Sequence, residues 1–370
     1  MDYFIVIFVS LLISYFIIFY AYLHYSNRIE ILNNFIGFIA LSMVLFHILT
    51  LLILMYQDFS LHLDLVPGFL FCFGFPIALN LILIVISSFL VFCYKRFFKS
   101  KDLKKFKLKL ENSLAKRSKS RNDTYRKIPH VLIFIGLIFL WVIGALFIIN
   151  LTGSSEGMVP SENNMLQLYI NLLSSPGNTK NILFSLGWFY YLLFFFFYIF
   201  CIFMLFNEFT RKSRTLSYPF NFFCSVFLCE NERNSYGTYL HFAIGLMFAS
   251  LISPPMVLFS ILGICSISDL MTSQIGIRFG KNHIKWNNNK TWEGTVAGIV
   301  SAFIICFVFL GWVWALIFTL IFFIFDVLTL KPLNISDNLI VPIACAIAYV
   351  CIRFIFNLDY TITFIELLGI

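Results

Sequence analysis

The chain has 370 residues, 60% of them hydrophobic and only 12% charged, with a mean hydropathy of +0.90 and a formal net charge of +8. A soluble domain carries about twice that charged fraction. The composition therefore excludes a soluble enzyme or binding module and leaves an all-α polytopic membrane protein, whose core is helix packed on helix within lipid.

Residues 2–25 form an apolar run without a basic start. It is too long for the apolar region of a signal peptide and reads as a retained span. Further spans are expected over about residues 31–56 and 69–94. The loop between them, 57–64, carries Asp58 and Asp64 and no Lys or Arg. Composition then changes abruptly. Residues 95–127 hold fourteen of the chain's 26 basic residues against three acidic ones. The positive-inside rule puts this loop in the cytosol, where it can also lie on anionic headgroups. It has no aromatic interleaving and no nucleic-acid module, so nucleic acid is not an expected partner.

A span over about 130–150 opens at His130, and the following loop, 151–180, is not basic and suits the lumenal side. The next span, about 182–206, leads to the basic piece Asn207-Glu208-Phe209-Thr210-Arg211-Lys212-Ser213-Arg214, which the same rule places in the cytosol. Residues 219–229 are apolar but too short to cross, and read as re-entrant or interfacial. Residues 239–267 are broken by Pro254-Pro255, which predicts two short spans turning at the prolines. Residues 295–328 are too long for one crossing and divide near Gly311. A last span ends near Asn357. The count is ten spans with a lumenal N-terminus, and every basic loop then falls on the cytosolic side. The organisation expected is a three-span region over 1–94, a basic loop over 95–129, a catalytic membrane domain over 130–357 and a lumenal tail over 358–370. The nine cysteines form no C-x-x-C pair and lie mostly in apolar runs, so they read as small apolar fillers, and the 48 phenylalanines as lipid-facing bulk.

The longest polar segment of the C-terminal half is 268–294, SDLMTSQIGIRFGKNHIKWNNNKTWEG. It carries Asp269, Arg278, Lys281, Lys285, Lys290 and Glu293, with Gly276 and Gly280 between them. A cationic, glycine-punctuated loop at a membrane suits a phosphate-bearing ligand. A topogenic basic loop is the plainer alternative.

The wording of this segment resembles the CTP-dependent polyprenol kinase family, dolichol kinases in particular. The family's G-D-x-x-A-S element corresponds to Ser268-Asp269-Leu270-Met271-Thr272-Ser273, with Ser268 and Thr272 in place of the usual Gly and Ala. A glycine turn follows from Gly276 to Lys281. A K-T-x-E-G-T element, Lys290-Thr291-Trp292-Glu293-Gly294-Thr295, opens the next helix, preceded by Ile284-Lys285-Trp286. Arg126-Lys127-Ile128-Pro129-His130, the pattern Glu232-Arg233…Gly237…His241 (with Asn234 where the family has Asp) and Asp337-Asn338-Leu339-Ile340-Val341-Pro342 add to the resemblance. It covers about residues 126–342.

The resemblance implies transfer of the γ-phosphoryl group of CTP to dolichol. Dolichyl phosphate, the lipid carrier for protein glycosylation, would form at the cytosolic face of the endoplasmic reticulum membrane. It implies a triphosphate held by Lys290, Lys281 and Arg278, with Gly276, Gly280, Lys285, Thr291, Glu293 and Gly294 around it. Asp269 and Asp337 are the candidate ligands of a divalent cation, Mg²⁺ in expectation, because a hard cation prefers carboxylate oxygen. Asp269 and His130 are both candidates for taking the hydroxyl proton. Trp286 or Trp292 can stack on cytosine or simply anchor the interface. Asp326 lies near the family's upstream acidic position, but its spacing is longer. The alternatives are a phytol- or diacylglycerol-type kinase, a phosphatidate cytidylyltransferase, a transporter or an inactive membrane scaffold. A transporter would place its ionisable groups near the bilayer midplane.

Overall fold

The computed structural model describes residues 31–57, 65–97, 118–152, 165–174, 187–213, 215–221, 228, 236–329 and 333–361. Among them are α1 (Ile31–Gln57), α2 (Leu65–Phe97), α3 (Lys119–Thr152), α4 (Met165–Ser174), α5 (Gly187–Lys212), α6 (Thr238–Ile252), α7 (Pro255–Gly263), a π-helical turn (Ile264–Ser268) and α8 (Asp269–Phe279). A hairpin of β1 (His283–Ile284) and β2 (Asn287–Thr291) follows, then α9 (Trp292–Leu310), α10 (Trp312–Leu328) and α11 (Asp337–Phe356).

Among the described residues, seven helical stretches are long and apolar enough to cross a bilayer, including the unbroken 255–279 stretch of α7, π turn and α8. The chain is thus a largely α-helical, multi-span membrane protein. The expected first span, 2–25, the middle of the basic loop, 98–117, the pair Glu232-Arg233 and the tail beyond 361 lie outside the described residues. The other nine expected spans each coincide with a helix. The proline pair ends one helix and begins the next, since Pro255 stands at the first position of α7, where its missing N–H costs nothing. Gly311 alone joins α9 to α10, at φ +80°, a backbone region that glycine enters without penalty.

Two expectations change. The basic segment is not loop throughout: α3 begins at Lys119, eleven residues before His130, and its polar start is continuous with the apolar span. Segment 268–294 is not a glycine loop either. Its first half is the helix α8, and the reversal is a short hairpin. Gly276 is therefore helical, and it serves helix packing. A Cβ on Gly294 would stand 2.5 Å from the Thr272 carbonyl oxygen and 3.0 Å from Gly276 Cα. These glycines let α8 and α9 cross with their backbones nearly touching, as small residues do between membrane helices.

The core gathers around α6, which is buried from Leu240 to Leu251 and packs on α1, α5, α7 and α11. A helix enclosed by protein need not match the bilayer thickness, which accounts for its 15 residues. Outer helices divide into two faces. On α3, Phe134, Leu137, Trp141 and Ala145 are buried at helical spacing, while Leu132, Ile135, Phe139 and Phe147 face outward, where lipid would solvate them. The α6–α11 crossing is set by Gly245. A Cβ there would lie 2.7 Å from Pro342 Cγ and 2.8 Å from the Asn338 carbonyl oxygen, which Pro342 leaves without its helical donor.

This crossing gives a stability prediction. Gly245→Ala must displace backbone on α11 and is expected to cost about 1–3 kcal/mol. Gly136→Ala meets nothing within 4 Å and should not. Thermal unfolding of both variants in detergent checks this: a lowered midpoint for Gly245→Ala alone is expected.

Candidate functional site

The first turns of α3, α6, α9 and α11, the last turns of α5 and α10, and the π turn all lie at one end of the bundle, and among the described residues most of the buried charges collect there, Arg353 in the last turn of α11 being an exception. Lys290 is the last residue but one of β2. The hairpin that carries it is anchored at several points. Ile284 is fully buried, Asn287 donates through Nδ2 to the Thr329 carbonyl at 2.8 Å, and the Trp292 N–H donates to the Asn282 carbonyl at 2.9 Å. Glu293 closes the other side by accepting from the Asn282 backbone N–H at 3.1 Å and from its side-chain amide at 2.8 Å.

So held, the Lys290 ammonium reaches inward. Its Nζ lies 2.6 Å from Asp326 Oδ1 on α10 and 3.6 Å from Asp337 Oδ2 at the start of α11. Asp326 is buried, and its other oxygen accepts from the Thr295 hydroxyl at 2.7 Å. Burial works against the charge of Lys290, but Asp326 first, then Asp337 and Asp269, outweigh it and hold the ammonium well above the usual lysine range. Asp337 is the most open of the three carboxylates, with its side chain 30% exposed against 13% for Asp269 and 2% for Asp326.

A second ion pair stands beside the first. Lys127, on α3, lies 2.9 Å from Asp269 Oδ1 and donates to the Asp269 carbonyl at 2.7 Å. Asp269 follows directly on the π turn, a feature frequent at functional sites. Gln274 ties α8 to α3 by donating to Asp123 Oδ2 at 3.0 Å and to the Ser120 carbonyl at 3.2 Å. His130 is buried one turn inward on α3, its ring stacked on Phe242 at 3.8 Å between centroids.

Of the residues expected from sequence, Asp269, Lys290 and Asp337 come together, with His130 beneath them. Thr291 caps α9 and accepts from the Gly294 N–H at 3.3 Å. With the Trp292 N–H also taken, two of the donors expected to cradle phosphate at this helix start are already bonded within the chain. Lys285 and Trp286 form the exposed hairpin turn, and Arg278, Lys281 and Trp292 are exposed on the rim. Gly276 and Gly280 pack against Thr291.

Three participants were not assigned from sequence. Lys127 was legible as a member of the basic run and of the R-K-x-x-H pattern, but without a role. Thr295 was part of a motif without a role. Asp326 had the strongest available signal, a lone carboxylate inside an otherwise apolar run. Among the described residues no group of three or more acidic, His or Cys side chains could hold a metal ion. The two lysine ammoniums stand where such a group would need a cation.

Comparison with protein-family models, with curated proteins and with solved structures found no match for this chain.

The buried pair yields a linked prediction. Lys290→Met leaves Asp326 uncompensated and is expected to destabilise the protein by about 3–5 kcal/mol, while Lys290→Met with Asp326→Asn restores much of the loss. A raised lysine pKa stabilises fully below the unfolded value and is lost only as pH climbs through the folded one. The wild-type advantage should therefore be flat from neutral pH to about pH 10 and shrink only beyond it. Thermal unfolding of the three proteins across that range measures both effects.

Proposed function

We propose that this protein is a CTP-dependent lipid kinase that converts dolichol to dolichyl phosphate, with its charged end facing the cytosol at the endoplasmic reticulum membrane. The observation that carries the reading is the Lys290 ammonium, the first residue of the K-T-x-E-G-T element, buried against Asp326 and Asp337. Phosphoryl transfer asks chiefly for positioning and charge neutralisation, and these residues offer both at the end of the bundle that carries the basic loops.

Lys290 would share its charge with the triphosphate, and Arg278 and Lys281 on the rim would meet the outer phosphates. Mg²⁺ commonly binds through one or two carboxylates plus substrate phosphates rather than an all-protein cage, so the absence of a preformed three-ligand cluster among the described residues is compatible with it. Asp337, with Asp269 beside it, would hold the ion, which would supply neutralisation of the phosphate oxygens. Asp326 would stay with Lys290 and Thr295, orienting the ammonium rather than touching the nucleotide.

The test uses purified protein with CTP labelled separately at the γ and α positions, offered dolichol, phytol, diacylglycerol and phosphatidate. Transfer of γ label to dolichol is expected, and Asp337→Asn should lower it about 10²–10³-fold at unchanged expression, the usual scale for removing one preorganised electrostatic group. Transfer of α label instead would identify a cytidylyltransferase. No transfer to any acceptor would leave an inactive scaffold.

A further inference from the structure

His241 lies in the first turn of α6, only 2% exposed, and neither of its ring nitrogens has a hydrogen-bonding partner in the protein. A neutral imidazole carries one donor and one acceptor, and leaving both unmatched in apolar surroundings is costly. His130 is 8% exposed, and its Nδ1 is likewise unmatched. His130 stacks on Phe242, the residue that follows His241.

The face on which His241 sits is set by the helix. Gly245, one turn further on, meets the first two turns of α11 at Asn338 and Pro342. Residues four apart share a helix face, so His241 lies one turn closer to the charged end and is directed at the point where α11 begins. Thr238, three residues earlier, accepts from Arg126 Nη2 at 3.2 Å. At the start of α11 the N-cap Ser336 makes no side-chain cap, and its buried hydroxyl is also unmatched. The Asp337 carboxylate is close enough to act electrostatically on both imidazoles.

The ligand that fits is neutral and small at its polar end. An anion at His241 would be repelled by the Asp337 carboxylate, whose charge reaches its ring. A hydroxyl both donates and accepts, which matches the unmatched imidazole groups.

We infer that His241 is the seat of a lipid alcohol's hydroxyl group, its ring accepting the O–H hydrogen bond beside the start of α11. This assignment rests on the lipid-kinase reading for its place in a reaction. There it makes His241 the residue that holds the acceptor oxygen near the phosphates gathered at Lys290 and Asp337.

Discrimination between an alcohol and its ether tests it directly, since a site built to bond a hydroxyl rejects the analogue lacking the donor. Binding of a short α-saturated polyprenol and of its methyl ether is measured in detergent without nucleotide. The wild-type protein should prefer the alcohol by about tenfold or more. His241→Phe, which keeps a ring and removes both nitrogens, should bind the two alike, while His241→Gln should keep part of the preference. No preference in the wild type, or a preference that survives in His241→Phe, overturns the assignment.

A second measurement needs no variant. The same alcohol carrying a diazirine next to its hydroxyl carbon should label the first turns of α6 or α11 on irradiation, and labelling confined elsewhere overturns it. Neither readout depends on phosphoryl transfer. Alcohol binding at His241 without transfer from CTP keeps this assignment and ends the kinase reading. Transfer with a preference insensitive to His241→Phe does the reverse.

Discussion

The charged end of the bundle depends on one lysine ammonium held between carboxylates from two other elements. Lys290 comes from the hairpin, Asp326 from the last turn of α10 and Asp337 from the first turn of α11. Without the ammonium, two carboxylates would face each other at low dielectric, where like charges repel strongly. With it, three segments distant in sequence are pinned at one point. A buried ion pair of this kind is weak evidence for net stability, because its desolvation cost rivals its attraction.

Close helix crossings make the cluster possible. Gly294 and Gly276 bring α9 against α8, and Gly245 brings α6 against α11. In lipid these approaches are driven by packing rather than by the hydrophobic effect, so missing side chains matter more than large ones. The crossings set how far Asp269, His241 and Asp337 stand from Lys290. A further ion pair braces the same end: Glu208, 2% exposed, accepts from Arg211 at 2.7 Å, from the Gly237 N–H at 3.2 Å and from the Tyr239 hydroxyl. It fixes the start of α6 to the end of α5, and with it the helix that carries His241.

The helices were legible because the solvent imposes them. A backbone in hydrocarbon must satisfy its own hydrogen bonds, so apolar runs of about 20 residues become helices whatever else they contain. The proline pair and Gly311 mark breaks for local backbone reasons that sequence alone carries. Asp269, Lys290 and Asp337 were singled out by their motif context, and they do come together. The hairpin was not legible: 283–291 is polar, lacks alternation, and is held mainly by Asn287 and Glu293 reaching residues elsewhere in the chain.

What sequence determined by itself, then, is the placement of most of the described apolar helices and which polar residues lie at their ends. Both follow from the cost of exposing peptide groups and charges to lipid, a cost each segment meets alone. Tertiary structure decided the partners. Lys127 could be matched to Asp269 only once α3 and α8 lay side by side. Asp326, one carboxylate in an apolar run, gained its meaning from an ammonium 36 residues away in the chain. The unmatched nitrogens of His241 exist only because α6 is enclosed by its neighbours. Pairing and enclosure depend on distances between elements, and those are set by side-chain packing across helices that no single segment encodes.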